Sequence, residues 1–95
     1  MRFTWDAAKN TLNLRKRGFD FAFATLIFDG PALVREDRRW DYGERRFIAI
    51  GVADGLHLTV VFTDRVRADG ELVRRIISAR RSSRQERQVY EHRVT

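Results

Sequence analysis

Hydrophobic and polar positions along this chain pass from a helical to an extended period at Pro31. In RFTWD, Phe3 and Trp5 alternate with Arg2 and Thr4, the two-residue period of a first strand. Asp6 then stands where a helix N-cap belongs, and DAAKNTLNLRKRG reads as a helix stopped at Gly18, with Arg15, Lys16 and Arg17 in the turn where the helix dipole favours cations. Its apolar content is thin: Ala8, Leu12 and Leu14. Asp20 caps a second predicted helix that carries Phe21, Ala24, Leu26, Ile27 and Phe28 to a stop at Gly30-Pro31. This helix is expected to be the main helical contribution to the core, its aromatics serving as packing.

After Pro31 the pattern becomes extended. ALVRED, RRFIAIGVA, LHLTVVFTDR and ELVRRIISAR are β-rich runs, with Asp54-Gly55 and Asp69-Gly70 in the last two turns between them. Four such runs in succession predict an antiparallel meander. Ser83-x-x-Glu86 then forms a capping box that opens a C-terminal helix, with Val89 and Tyr90 available to dock. The expectation is one α+β domain over residues 1–95: an N-terminal strand and two helices, a four-stranded antiparallel meander and a C-terminal helix. Helices would cover one sheet face, with the other able to stay open.

Composition narrows the chemistry. The chain is 43% hydrophobic and 34% charged, which is a globular rather than a disordered balance. Cysteine is absent, so disulfides and thiolate zinc sites are excluded. No apolar run approaches a membrane span, and no signal-like core opens the chain, so a cytoplasmic protein without membrane partners is expected. The net charge of +6 favours polyanionic or acidic partners. Residues 65–95 hold nine arginines against four acidic residues, a local excess of five. All basic residues except Lys9 and Lys16 are arginine, whose planar fork grips phosphate at two points. His57 and His92 are isolated, and no metal motif or glycine-rich phosphate loop occurs, so no cofactor is expected.

The segments FTWDAAKNTLNLRKRGFDF, GERRFIAIG and RRIISARRSSRQERQVYEH together resemble the BrnT family of type II toxin-antitoxin ribonuclease toxins. The resemblance runs from Phe3 to Tyr90. It implies a RelE-like fold, an endoribonuclease acting on RNA and an antitoxin partner of the BrnA-like ribbon-helix-helix class, with operator DNA reached only through their complex. The family commonly has Lys-His before its first glycine, whereas Lys16-Arg17 precedes Gly18 here, so a histidine has no acid-base role at that position.

Cleaving RNA through side chains requires activating a 2′-hydroxyl, stabilising charge on phosphorus and protonating the leaving oxygen. With the resemblance, the candidates for phosphate binding and transition-state charge are Arg46, Arg65, Arg75 and Arg80, with Glu44 and Tyr90 for proton transfer. Lys9, Asn13, Arg74 and Arg81 are candidate RNA contacts. Plainer readings stand beside these: Lys9 and Asn13 as a solvated helix face or a local hydrogen bond, Glu44 as part of a charged strand start, Glu86 as a cap, Tyr90 as a packed ring and His57 as a strand-surface residue. Trp40 and Tyr42 fit either exposed stacking positions or a turn around a buried tryptophan. Strict alternation in the last strand puts Arg74, Ile76, Ser78 and Arg80 on one face and Val73, Arg75, Ile77 and Ala79 on the other. The second set is more apolar, so Arg74, Ser78 and Arg80 are expected on the open face. The competing functions are a non-catalytic nucleic-acid-binding module and a protein whose cationic face docks an acidic partner.

Overall fold

Two aspartates start the helical part of the fold. In the computed structural model, which describes residues 1–94, the Asp6 carboxylate accepts the Lys9 backbone N–H at 2.9 Å and the Asp20 carboxylate accepts that of Phe23 at 2.8 Å. They cap α1 (Ala7–Arg17) and α2 (Phe21–Ala24), and Gly18, at φ 82°, ends α1 in the left-handed conformation that glycine adopts without penalty. The second predicted helix is shorter than expected: α2 makes one turn and passes into a 3₁₀ helix over Thr25–Asp29. The reason is legible in its core positions. Phe21, Ala24 and Ile27, all at most 2% exposed, are spaced by three, the repeat that aligns side chains in a 3₁₀ helix.

Five strands form one sheet, β1 (Arg2–Trp5), β2 (Leu33–Asp37), β3 (Arg46–Ala53), β4 (Leu56–Val66) and β5 (Leu72–Arg81), in the order β1-β5-β4-β3-β2. The β2 to β5 meander is antiparallel, as its turns predict, and β1 adds to β5 in parallel. Phe3 and Trp5 join the core cluster formed by Phe21, Ala24 and Ile27 with Ala49, Leu58, Val60, Phe62 and Ile76. Gly51 of β3 lies directly under Ile27: a Cβ there would come within 2.7 Å of the Ile27 Cβ and 3.2 Å of its carbonyl oxygen. Glycine is what lets the 3₁₀ helix approach the sheet backbone.

The reciprocal capping box closes as the sequence predicts. Ser83 Oγ accepts the Glu86 N–H at 3.1 Å and the Glu86 carboxylate accepts the Ser83 N–H at 2.7 Å, opening α3 (Arg84–Val94). This helix contacts β2 and β3 on the sheet face opposite α1 and α2, where the Tyr90 ring meets His57 edge-on at 5.6 Å. The second face is therefore open only in part.

The strict alternation expected in β5 is interrupted. Val61 pairs with Ser78 but the next residue, Phe62, pairs with Ile76, so Ile77 is an extra residue in β5. Arg74, Ile76 and Ala79 consequently share the core face, and Arg75, Ser78 and Arg80 share the other. This corrects the expectation that Arg74 is outward and Arg75 belongs to the apolar set. Substituting Gly51→Ala should force Ile27 and its backbone away from the sheet, at about 1–3 kcal/mol. In a chain of this size that is a fall in Tm of roughly 4–8 °C per kcal/mol, checked by thermal unfolding followed by circular dichroism.

Candidate active site

On the open face, a row of residues crosses three strands: Thr4 of β1 is opposite Arg75 of β5, which is opposite Thr63 of β4. Arg65 lies two residues along β4 from Thr63 on the same face, and Arg46, at the start of β3, follows Glu44 and Arg45 of the β2–β3 connection. Beside this row lies a pocket of about 340 Å³ lined by Arg46, Arg65, Arg75 and Glu44, with Lys9 and Asp6 from the start of α1 and Ile76 and Ile77. The α1 residues reach it because β1 ends at Trp5, opposite Ile76, and leaves the rest of the β5 edge uncovered.

Glu44 organises this pocket. One carboxylate oxygen accepts Arg46 Nε at 3.1 Å and the other accepts Arg65 Nη2 at 3.3 Å. The hydrogen bond from Arg46, with a second from Arg65, holds its carboxyl below the ordinary carboxylate value against the opposing effect of partial burial. Glu44 is thus an anion at neutral pH that orients two guanidinium groups. Arg46 is fixed from its other side by the Tyr42 ring, whose centroid is 4.2 Å from the guanidinium carbon. Tyr42 in turn donates to Asp37 at 3.0 Å, and Asp37, almost wholly buried, receives Arg39 through Nε at 2.8 Å and Nη2 at 2.9 Å. The Arg39 guanidinium holds the Asp37 carboxyl far below the usual range. Trp40, 72% exposed, is not the buried centre of this turn.

Arg75 and Lys9 differ from Arg46 and Arg65. Neither the Arg75 guanidinium nor the Lys9 ammonium has a hydrogen bond or ion pair among the described residues. With two tethered and two free cations against Asp6 and Glu44, the pocket has an excess of two positive charges, and the free pair can meet an anion without first breaking an internal bond. Among the described residues, no three of His, Asp and Glu converge as a metal-binding group.

The remaining sequence candidates are engaged elsewhere. Arg74 points into the core side, where it makes a two-point pair with Asp64 at 2.8 Å and stacks on Phe62 and Phe28 at 4.1 and 4.7 Å. Arg80 makes a two-point pair with Glu86 at 2.6 and 2.9 Å. Asn13 is buried and its amide donates to the Phe19 carbonyl at 2.9 Å, tying α1 to the following turn. Tyr90 is also buried, its hydroxyl donating to the Pro31 carbonyl at 2.7 Å. Arg81 lines a separate pocket beside Arg17 and Phe23. Asp6 entered the sequence reading only as a cap, and Arg2 and Arg67 did not enter as site residues. The outward phase of Arg2 was visible in the alternation of β1, but its place next to β5 follows from a pairing between chain segments some seventy residues apart.

The Arg80 pair has a pH signature. Its guanidinium lowers the Glu86 pKa from 4.5 to about 2, so the pair's stabilisation is complete above 4.5 and is lost as pH falls toward 2. Glu86→Gln should lower Tm at neutral pH, and its difference from wild type should shrink between pH 4.5 and 2, measured by thermal melts across that interval.

The family profile described as "Ribonuclease toxin, BrnT, of type II toxin-antitoxin system" matches residues 5–86. No curated relative matches the chain significantly. The matched span contains every residue that lines the Glu44 pocket.

Proposed function

The chain belongs to the BrnT family of type II toxin-antitoxin ribonuclease toxins, and we propose that it cleaves RNA in the pocket around Glu44. The observation that carries this reading is the meeting of four cations in one pocket, Arg46 and Arg65 held by Glu44 and Arg75 and Lys9 without a partner among the described residues. Arg75 offers its free fork to the non-bridging phosphate oxygens, and Lys9 adds a second free cation. Arg46 and Arg65, pre-oriented by Glu44, stabilise the charge that accumulates as phosphorus becomes pentacoordinate; because they are already in place, little reorganisation accompanies the reaction.

In the proposed route, the ribose 2′-oxygen bonds to phosphorus and its proton passes to the Glu44 carboxylate. Glu44 is a weak base because of its arginines, but the 2′-hydroxyl becomes strongly acidic as its oxygen bonds to phosphorus, so transfer follows bond formation. The bond from phosphorus to the 5′-oxygen breaks, and that oxygen takes a proton from the Lys9 ammonium. The products are a 2′,3′-cyclic phosphate and a 5′-hydroxyl. This route runs through side chains and uses no metal.

A type II toxin implies an antitoxin partner. The resemblance of the sequence supports a BrnA-like ribbon-helix-helix protein in that role, operator DNA bound only through the complex, a RelE-like fold and a cytoplasmic location. Among the described residues no helix is long and apolar enough to cross a membrane.

Purified protein incubated with labelled RNA in EDTA should leave fragments whose 5′ ends a kinase labels without prior phosphatase treatment. Arg75→Ala should slow cleavage by roughly 10²–10³, the usual loss for one transition-state donor. Fragments with 5′-phosphates would overturn the 2′-hydroxyl route. Undiminished cleavage by a folded Arg75→Ala protein would move the chemistry out of this pocket, and intact RNA with salt-sensitive binding would favour a non-catalytic binding module.

A further inference from the structure

The Glu44 pocket is the middle of three. On one side it shares Arg65 and Arg75 with a pocket of about 330 Å³ whose other lining residues are Arg2, Thr4, Arg67 and Val73. On the other it shares Lys9 and Ile77 with a pocket of about 170 Å³ that includes Leu12, Lys16 and Arg17. The carboxylates of this series, Asp6 and Glu44, line the central pocket alone, and both flanking pockets are lined by cations without an acid.

The composition of each flank matches one repeat of a nucleic-acid strand. Arg2, Lys16 and Arg17 are exposed and have no side-chain partner among the described residues, while Arg67 meets Asp69 and Glu71 only at 3.7 and 3.6 Å. Between the cations lie apolar surfaces: Val73 on one flank, and on the other Ile77 with Leu12, which is 49% exposed at the surface of α1. Alternating cations and apolar patches suit alternating phosphates and bases. A duplex does not suit the same surface, because its phosphates stand on the outside of paired bases and its base faces are stacked out of reach.

Resting on the ribonuclease reading above, we propose that single-stranded RNA runs through all three pockets, with the scissile phosphate in the centre and the neighbouring phosphates held by Arg2 and Arg67 on one side and by Lys16 and Arg17 on the other. The geometric basis is continuity: adjacent pockets share cationic side chains, so one backbone can pass from each to the next without leaving positive potential. The enzyme's footprint is then at least three phosphates, and flanking nucleotides contribute affinity that a dinucleotide cannot supply.

The test uses a 2′-O-methyl hexanucleotide, which cannot be cut by its own 2′-oxygen, with binding followed by fluorescence anisotropy over a range of salt. Each phosphate neutralised on a single strand contributes about 0.7 to the slope of log K against log salt, so Arg2→Gln with Arg67→Gln, and separately Lys16→Gln with Arg17→Gln, should each reduce the slope by about 0.7, the share of one flanking phosphate. Both variants should also lose part of the affinity gained between a dinucleotide and the hexanucleotide, with circular dichroism melts confirming that they are folded. Slopes equal to wild type in both folded variants would overturn the strand path and leave those cations to an acidic protein partner. Wild-type protein that shows the expected slopes but leaves the 2′-hydroxyl RNA intact would instead overturn the ribonuclease reading, with the strand path standing.

Discussion

The extra residue in β5 sets which arginines of that strand face the open side of the sheet. In a regular strand, Ile76, Ser78 and Arg80 would share one side, and burying Ile76 would carry Arg80 toward the core. Desolvating a guanidinium costs several kcal/mol even after relaxation, far more than one irregular position in a ladder. With Ile77 absorbed opposite the step from Val61 to Phe62, Ile76 and Ala79 both pack inward although they are three residues apart, each 1% exposed. Arg75 then faces outward beside Thr4 and Thr63, and Arg80 faces Glu86. Arg74 is left on the inner side, where its charge is met by Asp64 and its flat faces by Phe28 and Phe62. That position is tolerable because the two-point pair replaces the hydration the guanidinium gives up.

The same structure sorts a large number of arginines into two kinds. Arg39, Arg74 and Arg80 make short two-point pairs with carboxylates and hold the β2–β3 connection, the sheet end and the start of α3. Arg46 and Arg65 are held more loosely by one shared carboxylate, and Arg75 and Lys9 by none among the described residues. This gradation follows where carboxylates are placed. Asp37, Asp64 and Glu86 lie next to the arginines that brace the fold, and the open face retains a positive excess. Exposed ion pairs add little stability by themselves, so the value of Glu44 is in orientation more than in energy.

The support behind Glu44 is a short relay of contacts rather than a regular element. Asp37 ends β2 and is buried; Arg39 and Tyr42 satisfy its oxygens; the Tyr42 ring supports Arg46; and Arg46 holds Glu44. The connection between β2 and β3 runs over residues 38–45. Anchoring it through one desolvated carboxylate gives a loop-borne acid a position comparable in definition to the strand-borne arginines around it.

Much of this was written in the sequence. The caps at Asp6, Asp20 and Ser83, the stop at Gly18, the four strands of the meander and the phase of β1 are all local: each depends on a hydrogen bond or a side-chain period spanning a few residues. So was the family, because the motifs that resemble the ribonuclease toxins lie in a span that the family profile matches. Arg46, Arg65, Arg75, Glu44 and Lys9 were all named from sequence and meet in one pocket. What alternation could not supply was the bulge, since nothing within β5 marks Ile77 as the residue without an opposite partner; that is settled by how Ile76 and Ala79 fit against β4 and the helices. Nor could it separate free arginines from paired ones, because Arg80, Arg74 and Arg75 are alike as letters and differ only in which carboxylate stands across from them. The sequence by itself therefore determined the elements and the chemical repertoire, which rest on short-range geometry. The tertiary structure decided the phase of the last strand, the parallel docking of β1 and the identity of the unpaired cations, which rest on contacts between residues far apart in the chain.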